Sequence, residues 1–366
     1  MIEAILRFAI ARRGLVLLLV TGFAGLGAWS FTQLRIDAVP DITNVQVQIN
    51  TPAPGYTPLE VEQRVSFPIE NAMAGLPRLS YTRSISRYGL GQVTVVFEDG
   101  TDIYFARQQV SERLLSARSQ MPEDAEPALG PVSTGLGEIF MFTVDAEPGA
   151  RNPDGSAVTP TDLRSVHDWI IRPQLLRVPG VAEVNPIGGY KKEILVAPDP
   201  ARLLAYGVGY ADVIGAIERN NANRGVGYIE RNGAQWLLRV PGQAQALDDL
   251  GNVVVRSSGG VPLRVRDVAS VGLGQELRSG AATQNGREVV MSTVFMLIGA
   301  NSHDVSHAVA DKLESIATSL PDGITATAVY DRTVLVDQTI ATVEENLFAG
   351  AVLVVFVLFA LLGNLR

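Results

Sequence analysis

Apolar and polar positions divide the chain into two long uncharged runs and a mixed region between them. The first run is the 21 residues between Arg13 and Arg35, and the second is the 20 residues between Glu345 and Arg366. A helix of about 20 apolar residues is long enough to cross the hydrocarbon core of a bilayer. The pattern therefore predicts two transmembrane helices that flank a large region without spans.

Basic residues lie on the outer side of each uncharged run. Three arginines precede the first run, and Arg366 follows the second. Lys and Arg accumulate on the cytoplasmic side of membrane helices, so we expect both termini in the cytoplasm and the region between residues 35 and 345 outside it. The alternative for the first run is a cleaved signal peptide, since Ala28-Trp-Ser30 resembles a cleavage site. The apolar stretch is long for a signal peptide, which favours a retained span.

Between the two runs, strand patterns and helix patterns alternate. Arg78–Arg87 alternates in polarity, and Gln92–Phe97 is a β-branched run that is typical of a buried strand. Gly89 separates the two and favours a tight turn between them. The side chain of Asp102 is positioned to cap a helix that starts at Ile103. The predicted order is strand, strand, helix, as in split βαβ folds.

The spacing of helix signals repeats along the mixed region. Thr57-Pro58 and Thr159-Pro160 each combine a capping hydroxyl with a proline at the first helical position. A glycine followed 22 positions later by a proline also occurs twice, at Gly100–Pro122 and at Gly299–Pro321. We therefore predict an α+β fold with two copies of one β-α-β-β-α-β unit, that is, two split βαβ (ferredoxin-like) subdomains.

An insertion interrupts the second copy. After the predicted strand Val181–Ile187, some 80 residues with their own strands and helices precede its partner strand, and Asn232-Gly233 is a strong hairpin signal within them. The predicted organisation is residues 1–34 (N-terminus and first transmembrane helix), 35–132 (first subdomain), 133–189 with 274–332 (second subdomain), 190–273 (inserted subdomain) and 333–366 (linker and second transmembrane helix).

Composition narrows the chemistry of the 366-residue chain. There is no cysteine, which excludes disulfides and thiolate ligands, and a net charge of −8 argues against a nucleic-acid partner. No phosphate-binding loop or Ser-His-Asp arrangement is recognisable in the sequence. We therefore expect no enzyme activity, no ATP as the direct energy source and no bound cofactor.

Several motifs carry a family resemblance. Arg83-Ser-Ile-Ser86, Phe97-Glu-Asp-Gly100 and the run from Asp102 to Val110 resemble the first periplasmic subdomain of the resistance–nodulation–division (RND) efflux pumps, and most closely their heavy-metal branch. Asp168-Trp-Ile-Ile-Arg-Pro173 and Tyr330-Asp-Arg-Thr333 extend the resemblance towards the second span. The whole chain is similar to the N-terminal third of a pump protomer.

The resemblance implies a function and a set of partners. It implies a homotrimer in the bacterial inner membrane that uses the proton gradient to export divalent cations such as Zn²⁺ or Co²⁺. A periplasmic adaptor protein and an outer-membrane channel would complete the path, and the insertion at 190–273 corresponds to the layer that docks to the channel. The proton-relay acids of the family lie on later transmembrane helices, beyond this chain.

Glu138 is the first candidate metal ligand. It precedes the apolar strand Ile139–Val144 and follows a glycine-rich turn. A carboxylate at the start of an apolar strand is either solvated or paired, because burying it alone is costly. The resemblance implies that this linker borders the substrate cleft, where zinc- and cobalt-type members carry a carboxylate.

Asp168 is the proposed partner of Glu138. It lies on a predicted helix, Asp162–Leu176, whose apolar positions we expect to face the sheet: Val166, Trp169, Ile170 and Leu176. A solvated position on the helix surface is the alternative. Oxygen ligands suit borderline and hard divalent cations, so two carboxylates that meet across a cleft would hold Zn²⁺ or Co²⁺.

The histidines and methionines give weaker indications of a metal site than the two carboxylates do. His303 and His307 have a spacing that can chelate zinc, but they follow Asn301-Ser302, which favours a solvated helix start. His167 is expected to point about 100° away from Asp168 on a helix, which disfavours joint ligation. The six methionines show no cluster, so a relay for Cu(I) or Ag(I) has no support.

Two alternatives to a heavy-metal pump stay open. A multidrug pump of the same superfamily would have a cleft lined by apolar residues in place of carboxylates. A membrane-tethered binding or scaffold protein would have two spans, a soluble head and no transport activity. Intramembrane acids on further spans would distinguish a transporter from a scaffold.

Overall fold

The computed structural model describes residues 8, 10–32, 43–240, 242–258, 260–276 and 280–362. The first described helix, α1, is Arg13–Thr32. The basic residues Arg7 and Arg366, on which part of the predicted topology rests, lie outside the described residues, as does Arg35.

The first unit follows the predicted order of elements. It contains β1 (Gln46–Pro52), α2 (Pro58–Val61), a π-helical turn (Glu62–Ser66), α3 (Phe67–Met73), β2 (Leu79–Arg87), β3 (Leu90–Phe97), α4 (Ile103–Arg118) and β4 (Ala128–Leu129). Its four strands form one sheet in the order β2-β3-β1-β4, with antiparallel neighbours throughout. Helices α2 to α4 pack on this sheet over a core that includes Ile49, Ile69, Val93, Phe97 and Val110.

The next segment starts the second unit. A single turn of 3₁₀ helix (Gly135–Gly137) leads into β5 (Glu138–Ala146). One continuous helical segment follows, made of α5 (Pro160–Val166), a π-helical turn (His167–Ile171) and α6 (Arg172–Leu175). Strand β6 (Val181–Ile187) comes next.

The segment predicted as an insertion has a small core of its own. Its elements are β7 (Lys192–Pro198), α7 (Pro200–Tyr206), α8 (Tyr210–Asn220), β8 (Arg224–Arg231), β9 (Ala234–Val240), α9 (Leu247–Gly251), β10 (Val254–Ser258), β11 (Val261–Arg264), α10 (Val265–Val268) and β12 (Ala269–Gln275). Leu203, Val213, Val265 and Val268 are buried together there. The predicted hairpin at Asn232-Gly233 is confirmed, since both residues have positive φ and join β8 to β9.

The chain then returns to the sheet of β5 and β6. The last elements are β13 (Ala282–Gln284), β14 (Arg287–Met296), α11 (Ser302–Ala317), β15 (Ile324–Asp331) and α12 (Arg332–Leu362). Strands β6, β14, β5 and β15 lie side by side in that order, all antiparallel, and β13 pairs with the first residues of β14. This is the strand order of the first sheet, with the second strand next to the third, then the first and the fourth.

Both predicted helix starts are confirmed, and for a local reason. Thr57 accepts a hydrogen bond from the Glu60 amide, and the Glu60 carboxylate accepts one from the Thr57 amide. Thr159 and Asp162 make the same reciprocal pair at the start of α5. Such a capping box satisfies amide groups that the first turn of a helix leaves free.

The predicted inward face of the α5–α6 segment is confirmed in part. Val166 is buried and Ile170 packs against the core, as predicted. Trp169 and Leu176, also expected to face the sheet, are 82% and 39% exposed, whereas His167, Ile171 and Leu175 are fully buried. The π-helical turn explains the difference, because Arg172 donates to the carbonyl of His167, five residues back. A wider turn rotates the following side chains away from the positions that a period of 3.6 residues assigns to them.

Among the described residues, one helix is long and apolar enough to cross a membrane. It covers Arg332–Ala360 within α12 and has a mean hydropathy of 2.0 in its most apolar part. Among the described residues of α1, Arg13–Gly27 forms a shorter apolar helical stretch, and the predicted first span stays a prediction.

Candidate functional site

Asp168 lies in the π-helical turn, and both of its carboxylate oxygens have partners. Arg164 donates from Nε to Oδ2 over 2.9 Å, one helical turn before it. The Nδ1 of His167 is 2.8 Å from Oδ1. Only 24% of the Asp168 side chain is exposed. A cation that binds this carboxylate therefore competes with two groups already in place.

His167 links Asp168 to the sheet. Its ring is fully buried, stacks on Phe142 with a centroid distance of 6.0 Å, and places Nε2 2.9 Å from the hydroxyl of Ser292 on β14. Burial lowers the pKa of His167, and this effect outweighs the adjacent Asp168 carboxylate, which raises it. The ring is therefore neutral at pH 7. It donates from Nδ1 to Asp168 and accepts from Ser292 at Nε2.

The pKa of Asp168 is lowered in spite of its partial burial. Burial alone would raise it, but the hydrogen bond from His167 and the charge of Arg164 together outweigh that effect. Asp168 is thus a carboxylate at neutral pH, held by its neighbours. The expectation that His167 points away from Asp168 was wrong, because these neighbouring side chains contact each other directly.

These contacts also correct the expectation that no Ser-His-Asp arrangement is present. Ser292, His167 and Asp168 form such a chain in space. The hydroxyl of Ser292 is fully buried beneath the helical segment, whereas a catalytic serine must reach its substrate. The hydrogen bonds that join Ser292, His167 and Asp168 therefore anchor the helical segment to the sheet and do not indicate hydrolase activity.

Basic side chains surround the open side of Asp168. A cavity of about 530 Å³ lies there, and its lining includes four cationic side chains and one carboxylate: Arg164, Arg172, Lys191, Lys192 and Asp168. Arg172 is fixed by a 3.0 Å hydrogen bond from Nε to the carbonyl of Val184. This charge distribution repels a cation as long as Arg164 stays on the carboxylate.

Glu138 lies on the sheet that also carries Ser292, but away from the contact between Ser292 and His167. It is the first residue of β5, is half-buried and pairs in register with Phe295, whereas Phe142 pairs with Ser292, the partner of His167. Four residues of a strand separate Glu138 from Phe142, which is about 13 Å. No described contact joins Glu138 to Asp168. Their joint ligation of one cation stays a prediction.

Two partners of the site were missed by sequence reasoning. Arg164 could have been found, because an Arg four residues before an Asp on a helix is a recognised ion-pair spacing. Ser292 lies 125 residues from His167, and no local pattern predicts that contact.

Comparison with known proteins gives the family. The model of the AcrB/AcrD/AcrF family matches residues 5–366. The chain belongs to this family. It is 59% identical over 366 residues to the cation efflux system protein CzcA of an Alcaligenes species, a match that covers 100% of this chain and 34% of that protein.

Further members show the same partial coverage. The chain is 47% identical over 391 residues to the nickel and cobalt resistance protein CnrA of Cupriavidus metallidurans, covering 100% of this chain and 36% of that protein. The crystal structure of a heavy metal efflux pump has a TM-score of 0.87 at 30% identity and covers 98% of this chain and 35% of that one. This AcrB/AcrD/AcrF-family chain therefore spans about a third of the length of these relatives.

Proposed function

We propose that the protein containing this chain is an RND-type efflux transporter that exports divalent heavy-metal cations such as Zn²⁺ or Co²⁺. The observation that carries the proposal is the 59% identity over the whole chain to a cation efflux system protein. The structural likeness to a heavy metal efflux pump supports it independently of close sequence identity. The proton gradient is the proposed energy source.

The proposed topology has two spans in this chain, with cytoplasmic termini and residues 35 to 345 in the periplasm. Helix α12 supports the second span by its length and composition. The shared strand order of the two sheets supports two split βαβ (ferredoxin-like) subdomains with an insertion in the second. The separate core of the insertion is consistent with a docking role.

The proposed assembly is a homotrimer in the bacterial inner membrane. A periplasmic adaptor protein and an outer-membrane channel would receive the exported ion. Support comes from family membership, and the segment between β7 and β12 is the part of this chain proposed to contact the channel.

Glu138 and Asp168 remain the proposed cation ligands on the periplasmic path. Glu138 suits this role because its half-buried carboxylate takes part in no ion pair among the described residues. Asp168 is ionised but paired, so its participation requires Arg164 to leave the carboxylate. We expect modest affinity, because a transporter must release the ion again.

Substitution in the full-length protein tests this function. Glu138→Gln and Asp168→Asn should each lower growth resistance to Zn²⁺ or Co²⁺, and the double variant should add little, because both changes disable one site. Glu112→Gln, on the exposed surface of α4, is the matched control and should behave like the wild type.

Three results would contradict parts of the proposal. Unchanged resistance in both single variants, at wild-type expression, would remove these carboxylates from the path. Export of organic compounds without any metal resistance would support the multidrug alternative. If deletion of the gene lowers neither metal resistance nor the export of organic compounds, the non-transporting scaffold is favoured.

A further inference from the structure

Helices α11 and α12 bring three metal-ligating side chains together. His303 and His307 lie one turn apart on α11, and Asp337 lies in the second turn of α12. The Nε2 of His303 is 3.0 Å from one Asp337 oxygen, and the Nε2 of His307 is 3.8 Å from the other. One ligand atom from each side chain lies within 4.8 Å of the others. The predicted helix start after Asn301 is confirmed, and the partly exposed imidazoles also face this carboxylate, a contact that the sequence did not predict.

The surrounding structure fixes the position of each group. Asn301 caps α11 by accepting from the His303 amide over 3.1 Å, which sets the first turn that carries His303. On α12, Val336 and Thr333 are buried, so the helix start that carries Asp337 is packed against the protein. The two imidazole rings contact each other edge to face at 4.5 Å. The cluster is therefore formed by two ordered helices and does not depend on a loop.

A second carboxylate lies behind the His303 ring, since its Nδ1 is 3.5 Å from Asp304, whereas its Nε2 donates to Asp337 over 3.0 Å. A bound cation would take the place of the proton on Nε2, and Asp304 would then be in position to accept from Nδ1, as carboxylates commonly do behind metal-binding histidines. Nε2 of both histidines and the Asp337 carboxylate thus face one point.

The donor set selects the class of ion. Imidazole nitrogen and carboxylate oxygen suit Zn²⁺, Co²⁺ and Ni²⁺, whereas Mg²⁺ and Ca²⁺ prefer oxygen alone and Cu(I) prefers sulfur. Three protein ligands leave a position for water, as in open zinc sites from which ligands exchange. The side chains of His303, His307 and Asp337 are 30%, 47% and 50% exposed, so an ion can reach them from solvent.

We propose that His303, His307 and Asp337 form a binding site for a borderline divalent cation where α11 meets α12. Asp337 precedes Asn346, the first residue of the uncharged run of α12, by nine positions, or about 13 Å of helix. The site therefore lies close to the start of the predicted span. Its ligand set does not include Glu138 or Asp168, although Ser306, which lies between the two histidines on α11, donates to the carbonyl of Ile139 beside Glu138 over 3.0 Å. A role as the first stop for an exported ion rests on the proposed function, but cation binding itself does not.

Titration of the full-length protein with Co²⁺ tests the proposal. The protein is purified in detergent with any affinity tag removed, and the visible absorption of bound Co²⁺ is followed, since it reports nitrogen and oxygen ligation. His307→Gln and Asp337→Asn should each lower Co²⁺ affinity at least about tenfold, because changes to outer partners of metal ligands alone cost ten- to a hundredfold. Zn²⁺ should displace Co²⁺ from the wild-type protein.

The matched control is Glu314→Gln. Glu314 is exposed on the same face of α11, two turns beyond His307 or about 10 Å along the helix. The Glu314→Gln variant should bind Co²⁺ like the wild type. Unchanged thermal unfolding of each variant shows that lost binding does not reflect lost folding.

The outcomes separate this proposal from the proposed function. Wild-type Co²⁺ affinity and absorption in both His307→Gln and Asp337→Asn would overturn the site. Weakened Co²⁺ binding in these variants, with metal resistance unchanged in Glu138→Gln and Asp168→Asn, would sustain the site and reject those carboxylates as ligands.

Discussion

The buried hydrogen bond between Ser292 and His167 gives a quantitative test of how the helical segment is anchored. The Ser292 hydroxyl lies 2.9 Å from Nε2 of His167 and 3.4 Å from the carbonyl of Asn185. Ser292→Ala removes the partner of Nε2 and leaves this nitrogen unpaired beside Phe142. A buried polar atom that loses its partner costs about 1–3 kcal/mol.

The complementary change is His167→Leu, which keeps an apolar side chain in contact with Phe142. Asp168 then retains Arg164, and Ser292 retains the Asn185 carbonyl, so neither is left without a partner. The double variant has no unpaired ring nitrogen. Its cost should therefore be smaller than the sum of the single costs by about 1 kcal/mol or more.

Hydrogen exchange measures the effect locally. Because 1.4 kcal/mol corresponds to a factor of ten, Ser292→Ala should speed amide exchange in peptides from α5 and β14 by about ten- to a hundredfold. Ser270→Ala on β12 is the control, since its exposed hydroxyl makes only a 3.5 Å contact with the Ala197 carbonyl.

Two results would refute this account of the anchor. Unchanged exchange in Ser292→Ala would mean that the hydroxyl does not stabilise the imidazole. Strictly additive effects in the double variant would mean that the two side chains act independently.

Two further predictions concern stability. The unfolded chain binds a proton at His167 more readily than the folded chain, whose His167 pKa lies below its ordinary value of 6.5. The contribution of neutral His167 to the free energy of unfolding is therefore complete above about pH 6.5 and is lost as the pH falls below that value. The thermal midpoint should accordingly drop between about pH 7.5 and 5.5, and it should drop less in His167→Leu. Gly189→Ala should lower the midpoint strongly, because φ is +63° and a Cβ would lie 2.7 Å from the carbonyl of Pro160. Gly207→Ala, with φ +61° and open space around it, should cost only about 1 kcal/mol of local strain, and similar midpoints for the two would contradict the steric argument.

The sequence alone determined the features that depend on interactions between residues a few positions apart. The helix starts at Thr57 and Thr159 depend on hydrogen bonds across three positions, and the β8–β9 hairpin depends on the backbone freedom of Asn232-Gly233. The uncharged run of α12 could likewise be predicted from a short stretch of sequence, because hydropathy depends only on the composition of that stretch. Family motifs then added what no local pattern contains, namely the expected export of metal ions.

Only the tertiary structure decided which side chains meet. A π-helical turn placed His167 in the core and Trp169 in solvent, against the simple helical period. Asp337 lies 34 residues from His303. Ser292 lies 125 residues from His167. Such contacts depend on how helices and strands pack, and local residue spacing does not determine that packing, because it fixes only which residues share a face of one element.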